Sequence, residues 1–330
     1  MKIINILFII FITLSSNLYA VENFDLWLQS FSKQALDSGI SKNTVNNVLK
    51  NARYLPNVIK YDRYQPEFYE DTKTYIDKRV TKKKIKNGIS LYLKNKNKIN
   101  EIEKNFKVEK ELLLSLMGIE TNYGNYLGKM DIISSLATLS FDKRRSAFFS
   151  NELITLLKLV DDGTIDYRIL YGSWAGAFGN FQFMPSTIES YAIDYDNNDI
   201  IDLKSIHDSF ASAGNYISQM GWETKKPCFA KIELNNDIPI KFLNTSAKKI
   251  NNKKKLIYFK KYIKNFDKLK NYKNLNSAIV TPDKDIVDNA DILSPAYIVF
   301  DNYELILKWN RSLRFALAVC TLKKNFENVL

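Results

Sequence analysis

The segment Val108-Glu-Lys-Glu-Leu-Leu-Leu-Ser-Leu-Met-Gly-Ile-Glu120, followed by Thr-Asn-Tyr-Gly124, has the period of a helix with one apolar row. Val108, Leu112 and Leu116 recur at i, i+4, and the next member of that row is Glu120. The row therefore ends in a carboxylate aimed at the core, just before Tyr123-Gly124 breaks the helix. Glu109 and Glu111 lie off it and are expected in solvent. Burial disfavours the ionised form of a carboxyl group and raises its pKa, which suits a general acid. A capped or salt-bridged structural glutamate is the other reading of the same periodicity.

A second element, Gly172-Ser-Trp-Ala-Gly-Ala-Phe-Gly-Asn-Phe-Gln182-Phe-Met-Pro-Ser-Thr-Ile-Glu189, packs three glycines into eight residues, which permits tight backbone geometry and close approach of a ligand. Ser186 and Glu189 are spaced as a capping box that opens a helix after Pro185. Gln182 between Phe181 and Phe183 suits a sugar site, the amide bonding hydroxyl or acetamido groups and the rings lying against a pyranose.

The composition narrows the chemistry. The chain has 330 residues, 48 Lys+Arg against 36 Asp+Glu, and a single histidine, His207. One imidazole excludes a His-x-x-x-His zinc helix, and a Ser-His-Asp arrangement would have to run through that one residue. His207 itself reads as a surface or helix-capping residue. Cys228 and Cys320 can make at most one bridge and read as buried thiols. Apolar residues at 45% and aromatics at 13% are too many for a disordered chain. Lys2, the apolar run Ile6 to Leu14, Ser15-Ser16-Asn17 and Ala20 have the layout of a secretory leader over 1–20, and no Cys follows the run closely as a lipoprotein would need. No later stretch holds the ~18 uninterrupted apolar residues of a membrane helix. An exported soluble protein is expected, and its basic charge reads toward the carboxylates of the cell envelope rather than nucleic acid. Lys, Asn, Ile and Tyr are abundant throughout, as AT-rich coding would produce, so the net charge by itself says little.

Along the chain, residues 21–106 show helical periodicity: Leu26, Leu28, Phe31, Ala35 and Leu36 in one segment, and Ser41 with Thr44 opening the next. Arg79 to Lys98 is a very basic stretch with an apolar stripe, as expected of a solvated helix. Residues 107–222 hold most of the motifs and read as the core. Residues 223–300, where short apolar runs sit among Lys and Asn, read as a small α/β insertion. Residues 301–330 return to helical period through Tyr303, Leu305, Ile306, Trp309, Leu313 and Leu317.

Glu120-Thr-Asn-Tyr-Gly124, Ala137-Thr-Leu-Ser-Phe141, Gly176 to Ser186, Arg63-Tyr-Gln-Pro-Glu-Phe68, Ser212-Ala-Gly-Asn-Tyr216 and Trp309-Asn-Arg-Ser312 together resemble the lytic murein transglycosylase B family, glycoside hydrolase family 103. The resemblance implies a mainly α fold, a lysozyme-like helical catalytic core with a small α/β insertion. It implies Glu120 as the sole catalytic acid/base on peptidoglycan strands, forming 1,6-anhydromuramoyl ends; with the leader, a periplasmic monomer with no required cofactor is expected. Gln182, Asn215 and Tyr216 match positions lining the glycan cleft. Trp309, Asn310 and Phe315 match a late segment reaching the same cleft; where the family carries tyrosine near both ends, this chain has Trp and Phe, which keeps stacking and loses a phenol hydrogen bond.

The family's calcium site falls on Asp194, Asp196, Asn198, Ile200 and Asp202, spaced as an EF-hand loop. Asp199 stands in place of its glycine and Ser205 in place of its bidentate carboxylate, so an occupied site and a purely structural loop both stay open. Two rival functions also remain at this point. One is a hydrolytic muramidase using a second carboxylate such as Asp131 or Asp142, and the other is a non-catalytic peptidoglycan-binding scaffold.

Overall fold

The structure, a computed structural model, describes residues 23–65, 69–284 and 286–330. The expected leader over 1–20 and part of the Arg63–Phe68 motif lie outside the described residues. Helix α1 covers 23–37, followed by α2 (Lys42–Asn47), α3 (Pro56–Arg63), α4 (Thr72–Arg79), α5 (Lys82–Lys94), α6 (Lys96–Phe106) and α7 (Lys110–Thr121). Then come β1 (Met130–Asp131), α8 (Ile132–Phe141), α9 (Ser146–Asp161), β2 (Tyr171–Gly172), α10 (Pro185–Tyr191) and α11 (Ile206–Gln219). Strands β3 (Phe229–Ile232), β4 (Leu243–Asn244), β5 (Lys254–Lys255), β6 (Asn276–Val280) and β7 (Ala296–Phe300) precede α12 (Asp301–Trp309) and α13 (Leu313–Glu327). The protein is mainly α, with its larger sheet confined to residues 229–300.

The chain divides into two compact units, residues 1–64 with 127–203 and residues 65–126 with 204–330. In the first, Ser41 caps α2 by accepting from the Thr44 N–H at 3.2 Å. The Ser41 N–H and both hydroxyls donate to Asp161, which ties the start of α2 to the end of α9. The expected capping box at Ser186 does not form. Pro185 occupies the first turn of α10, and Ser186 donates its N–H and its hydroxyl to buried Glu152 of α9, at 2.9 and 2.7 Å. Met184 is the N-cap, so Ser186 already lies inside the first turn, where it cannot act as a capping residue and both its donors turn to the Glu152 carboxylate.

In the second unit, α7 is enclosed: Leu112, Leu113, Leu114 and Leu116 are fully buried, and α13, α5, α6 and α11 pack around it. This enclosure overturns the expectation that Glu109 and Glu111 are solvated. Glu109 accepts from the Trp222 indole at 2.5 Å and the Lys225 N–H at 2.8 Å and pairs with Lys323 at 3.4 Å; Glu111 pairs with Lys110 at 3.0 Å. A helix covered on all sides has no solvent face, so its charges must find partners instead. Another buried pair, Arg314 to Asp283 at 2.8 Å, joins the loop after β6 to α13, and Asp283 also accepts the Thr72 N–H and hydroxyl at the start of α4.

The sheet runs β3-β7-β6 antiparallel, with β4 parallel and β5 antiparallel along the far edge of β6. One of its faces covers a core containing Leu256, Phe259, Ile279 and Ile298. The two cysteines, read from the sequence as buried thiols, are instead a disulfide: the chain leading into β3 meets α13 with the Cys228 and Cys320 Cα atoms 6.1 Å apart, within bonding reach.

That bridge closes a loop of sequence separation 92, for which chain-entropy reasoning gives a stabilisation of about 4–5 kcal/mol. Cys228→Ser with Cys320→Ser is expected to lower the unfolding free energy by several kcal/mol in a denaturant melt, and dithiothreitol should do the same to the parent chain. Coincident melts for all three would show that the bridge carries no stability.

Candidate active site

Glu120 lies in the last turn of α7, where the enclosed helix first comes half-exposed. The helix stops one residue later, because Asn122, Tyr123 and Gly124 take φ of +49°, +61° and +79° in succession. The Asn122 N–H closes on the Gly118 carbonyl at 3.2 Å and the Thr121 hydroxyl accepts from the Gly124 N–H at 3.1 Å, so the turn is satisfied locally. Three consecutive left-handed residues reverse the chain abruptly, which carries the backbone away from the Glu120 carboxylate.

Two features hold that turn. The Tyr123 ring folds back into space left by two glycines: a Cβ on Gly118 would stand 2.7 Å from its phenol oxygen, and one on Gly88 of α5 would stand 2.6 Å away. The hydroxyl is buried without a hydrogen-bond partner among the described residues, and burial pushes the phenol pKa well above its ordinary range. Lys84 of α5 donates from Nζ to the Gly118 carbonyl at 2.7 Å, a cation placed at the negative end of α7. Burial, with the Arg79 charge adding to it, pushes the Lys84 ammonium down to about 8. Lys84 was not singled out from the sequence, and Tyr123 was read only as part of the helix break; the Gly at 118 inside a helical row was the available signal for its packing role.

The carboxylate is held from the other side by Trp309 at the end of α12, whose indole Nε1–H donates to Glu120 Oε1 at 3.0 Å. The Trp309 ring stacks on Tyr216 of α11 with centroids 5.1 Å apart and planes inclined by 26°. The structure thus brings together Glu120, Trp309 and Tyr216. Sequence reasoning gave Trp309 a stacking role only; its indole N–H is a donor as well. Asn215, beside Tyr216, is half-buried and accepts from Gln219 Nε2 at 2.8 Å. Asn310 caps the end of α12, its carbonyl taking the Ser312 N–H at 2.8 Å. Phe315 is buried at 3% exposure in the first turn of α13 and offers no open ring face.

Gln182 belongs to the other unit. There Phe178 and Phe183 pair across a tight reversal, with Gln182 at φ +52° and its amide Nε2 donating to the Gly179 carbonyl at 3.0 Å. Gly179 itself sits at φ +79° against Leu203, where a Cβ would fall 2.5 Å from the leucine Cβ. Phe181 and Phe183 are buried at 2% and 3% exposure, so they are core residues and not the sugar platforms expected from the sequence. The short reversal points both rings inward because the strand-like arms alternate about Gln182.

Asp131 and Asp142, the other carboxylates considered, are engaged within their own unit. Asp131 caps α8, accepting from the Ile133 and Ser134 N–H groups and the Ser134 hydroxyl. Asp142 accepts both ways from Arg63 at 2.9 and 3.1 Å. Burial alone would raise the Asp142 carboxyl, but its bonds to Arg63 and Arg144 outweigh that and hold it below the usual carboxylate range.

The 194–202 loop wraps its own backbone around oxygen donors. Asp194 accepts the Asn198 and Asp199 N–H groups at 3.1 and 2.8 Å, and Asn198 accepts the Ile200 N–H at 2.9 Å. Asp199 adopts φ +65°, the left-handed geometry that glycine ordinarily supplies at that place in the loop. Asp194, Asp196, Asn198 and Asp202 with the Ile200 carbonyl are a hard oxygen donor set that fits calcium. Ser205 does not complete it as a bidentate ligand would, since its hydroxyl caps α11. His207, in the first turn of that helix, is half-buried.

Gly118→Ala is expected to destabilise the fold by about 1–3 kcal/mol, because the added methyl must displace the buried Tyr123 ring. Urea melts of the two proteins measure this directly. Equal midpoints would mean that Tyr123 yields freely and does not hold the turn after Glu120.

Comparison with known proteins finds relatives both by sequence and by structure. The chain is 36% identical over 149 residues to the membrane-bound lytic murein transglycosylase B of Escherichia coli, a stretch that is 45% of this chain and only 41% of that relative. Among solved structures, SltB3 from Pseudomonas aeruginosa in complex with NAG-anhNAM-pentapeptide superposes with a TM-score of 0.79 at 27% identity, over 92% of this chain and 79% of that one. The Escherichia coli lytic transglycosylase Slt35 in complex with calcium superposes with a TM-score of 0.74 at 25% identity, over 92% and 94%. The mainly α, lysozyme-like fold implied by the sequence resemblance is therefore the fold of these proteins. Since the transglycosylase SLT domain matches residues 23–324, nearly the whole length, the chain belongs to that family.

Proposed function

We propose that the protein is a lytic transglycosylase that cleaves the β-1,4 bond between N-acetylmuramic acid and N-acetylglucosamine in peptidoglycan, leaving 1,6-anhydro ends. The observation that carries this reading is the Glu120 carboxylate, delivered by a buried helix, fixed by the Trp309 indole and flanked by a stacked Trp309–Tyr216 pair. The family and its likeness to an enzyme solved with an anhydro-muramoyl fragment support it.

Protonated Glu120 donates to the glycosidic oxygen as the bond from that oxygen to C1 breaks. The carboxylate so formed then takes the proton of the muramic acid 6-hydroxyl while its oxygen bonds to C1 of the same sugar. No water enters and Glu120 ends protonated again. One carboxylate suffices because the nucleophile is part of the bound sugar and has a high effective molarity. The indole pins one carboxylate oxygen and so sets the direction from which the other presents its proton. A hydrolytic glycosidase ordinarily needs a second carboxylate. That Asp131 and Asp142 are committed elsewhere supports the one-carboxylate route.

Tyr216 and Trp309 are proposed to stack on sugar rings, and Asn215, Asn310 and Gln182 to hydrogen-bond them; Phe315 packs behind. Residues 107–222 are the proposed core and 223–300 the insertion, supported by the sheet the latter contains. The proposed location is the periplasm. A disulfide favours an oxidising compartment, and no helix among the described residues is long and apolar enough to cross a membrane. Calcium in the 194–202 loop is proposed as a structural ligand only.

Glu120→Gln keeps the side chain's shape and removes its proton, so turnover of purified sacculi should fall by roughly 10²–10⁴ or more with glycan binding retained. Substantial residual turnover would transfer the acid/base role to another group. For the loop, millimolar calcium should raise the melting temperature by linkage, and Asp194→Ala with Asp196→Ala should remove the rise. A melting temperature indifferent to calcium and to chelator would make the loop purely structural.

A further inference from the structure

The positive charge of this protein is not spread along it. Residues 225–273 hold fifteen lysines against three carboxylates, while the rest of the chain is balanced at 33 basic and 33 acidic residues. Coding bias toward AT-rich codons acts along the whole chain, so it does not account for one segment that gains lysine and sheds acid while the rest stays balanced. The segment runs from just before β3 through β4 and β5 to the loop before β6. Lys248, Lys249, Lys254, Lys255, Lys260 and Lys264 are exposed there with no carboxylate in ion-pair range among the described residues. Elsewhere in it, Lys253 reaches Asp301 and Glu304, and Lys270 reaches Asp267.

Apolar side chains stand exposed among these lysines. Ile240 is 70% exposed, Ile257 45% and Tyr258 46%. They belong to one patch: the Tyr258 ring meets Phe242 with centroids 5.6 Å apart, which sets the 240–242 turn against the 256–262 turn. Lys241 lies over the Phe242 ring at 5.5 Å and Lys254 over Tyr258 at 5.8 Å, so the cations rim the aromatic and aliphatic centre. Beneath it Phe242, Leu256 and Phe259 are buried, giving the patch a packed base.

From this we propose that the insertion is a membrane-docking surface, which seats on a bilayer rich in anionic phospholipid. Lysines near such a surface are attracted by its negative potential, and exposed aliphatic and aromatic side chains enter the headgroup boundary. A soluble polyanion would meet the lysines equally well and would leave Ile240 and Ile257 in water; the apolar centre is what favours lipid. Docking of this kind holds an enzyme at the envelope without a spanning helix or a lipid anchor. It does not depend on the reaction assigned to Glu120.

The test is co-sedimentation of the purified chain with vesicles of phosphatidylcholine alone or with roughly one-third phosphatidylglycerol, at low and high salt, beside retention on heparin as the soluble polyanion. The parent and Glu120→Gln should bind only the anionic vesicles, and binding should weaken as salt rises. Lys248→Ala, Lys254→Ala, Lys260→Ala and Lys264→Ala combined should cut that binding by roughly several hundredfold, at about fivefold per lysine. Ile240→Ser with Ile257→Ser should cut vesicle binding about tenfold while leaving heparin retention unchanged. Absence of binding to anionic vesicles would overturn the proposal, as would binding indifferent to the lysine set. Vesicle binding unaffected by the isoleucine pair would overturn it in favour of a soluble polyanion. Unchanged thermal melts of the variants confirm that the surface alone was altered.

Discussion

The site depends on α7 ending one residue after Glu120. A helix enclosed on every side cannot present a polar group to a ligand from its middle; only a terminal turn comes out of the packing. The left-handed run Asn122-Tyr123-Gly124 makes that terminus abrupt, and the Tyr123 ring, seated where Gly118 and Gly88 have no side chains, keeps it in place. Lys84 adds a cation on the Gly118 carbonyl. Without these constraints the carboxylate would have the mobility of a frayed helix end, and a proton donor displaced by an ångström loses much of its value.

Around this terminus the second unit is cross-tied by buried charges. Glu109 binds Trp222 and Lys323, and Arg314 binds Asp283, which in turn takes both donors of Thr72. Such pairs add little net stability over a well-packed apolar equivalent, but breaking one leaves an unpaired buried charge that costs several kcal/mol. They therefore penalise any other packing of α13 against α7 and α4. The Cys228–Cys320 bridge acts on the unfolded chain instead, by joining the entry to the sheet with the last helix.

Much of this was legible in the sequence because it follows from periodicity. The Val108–Leu112–Leu116 row located Glu120, and Ser41 with Thr44 marked the start of α2. What escaped was set by partners distant in the chain. Glu109 and Glu111 looked solvated because a helix period shows one buried stripe and cannot show that α7 is covered all round. Ser186 appeared to cap its own helix, while a carboxylate from α9 takes its donors. Phe181 and Phe183 looked like sugar platforms, yet the reversal at Gln182 turns both rings inward. Trp309 was expected only to stack on a sugar ring; that its ring lies on Tyr216 and its indole bonds Glu120 is something no local pattern could reveal. The insertion's charge was present in the total of +12, hidden because a chain-wide sum does not say where the lysines lie.

The central claim is that one carboxylate, Glu120, acts as acid and then base on a nucleophile carried by the substrate. Digestion of sacculi in ¹⁸O-labelled water, with mass spectrometry of the new muramic acid ends, addresses it directly. The account predicts ends without label, each lighter by one water than its hydrolytic counterpart. Label in most new ends would contradict it, because the oxygen at C1 would then have come from solvent.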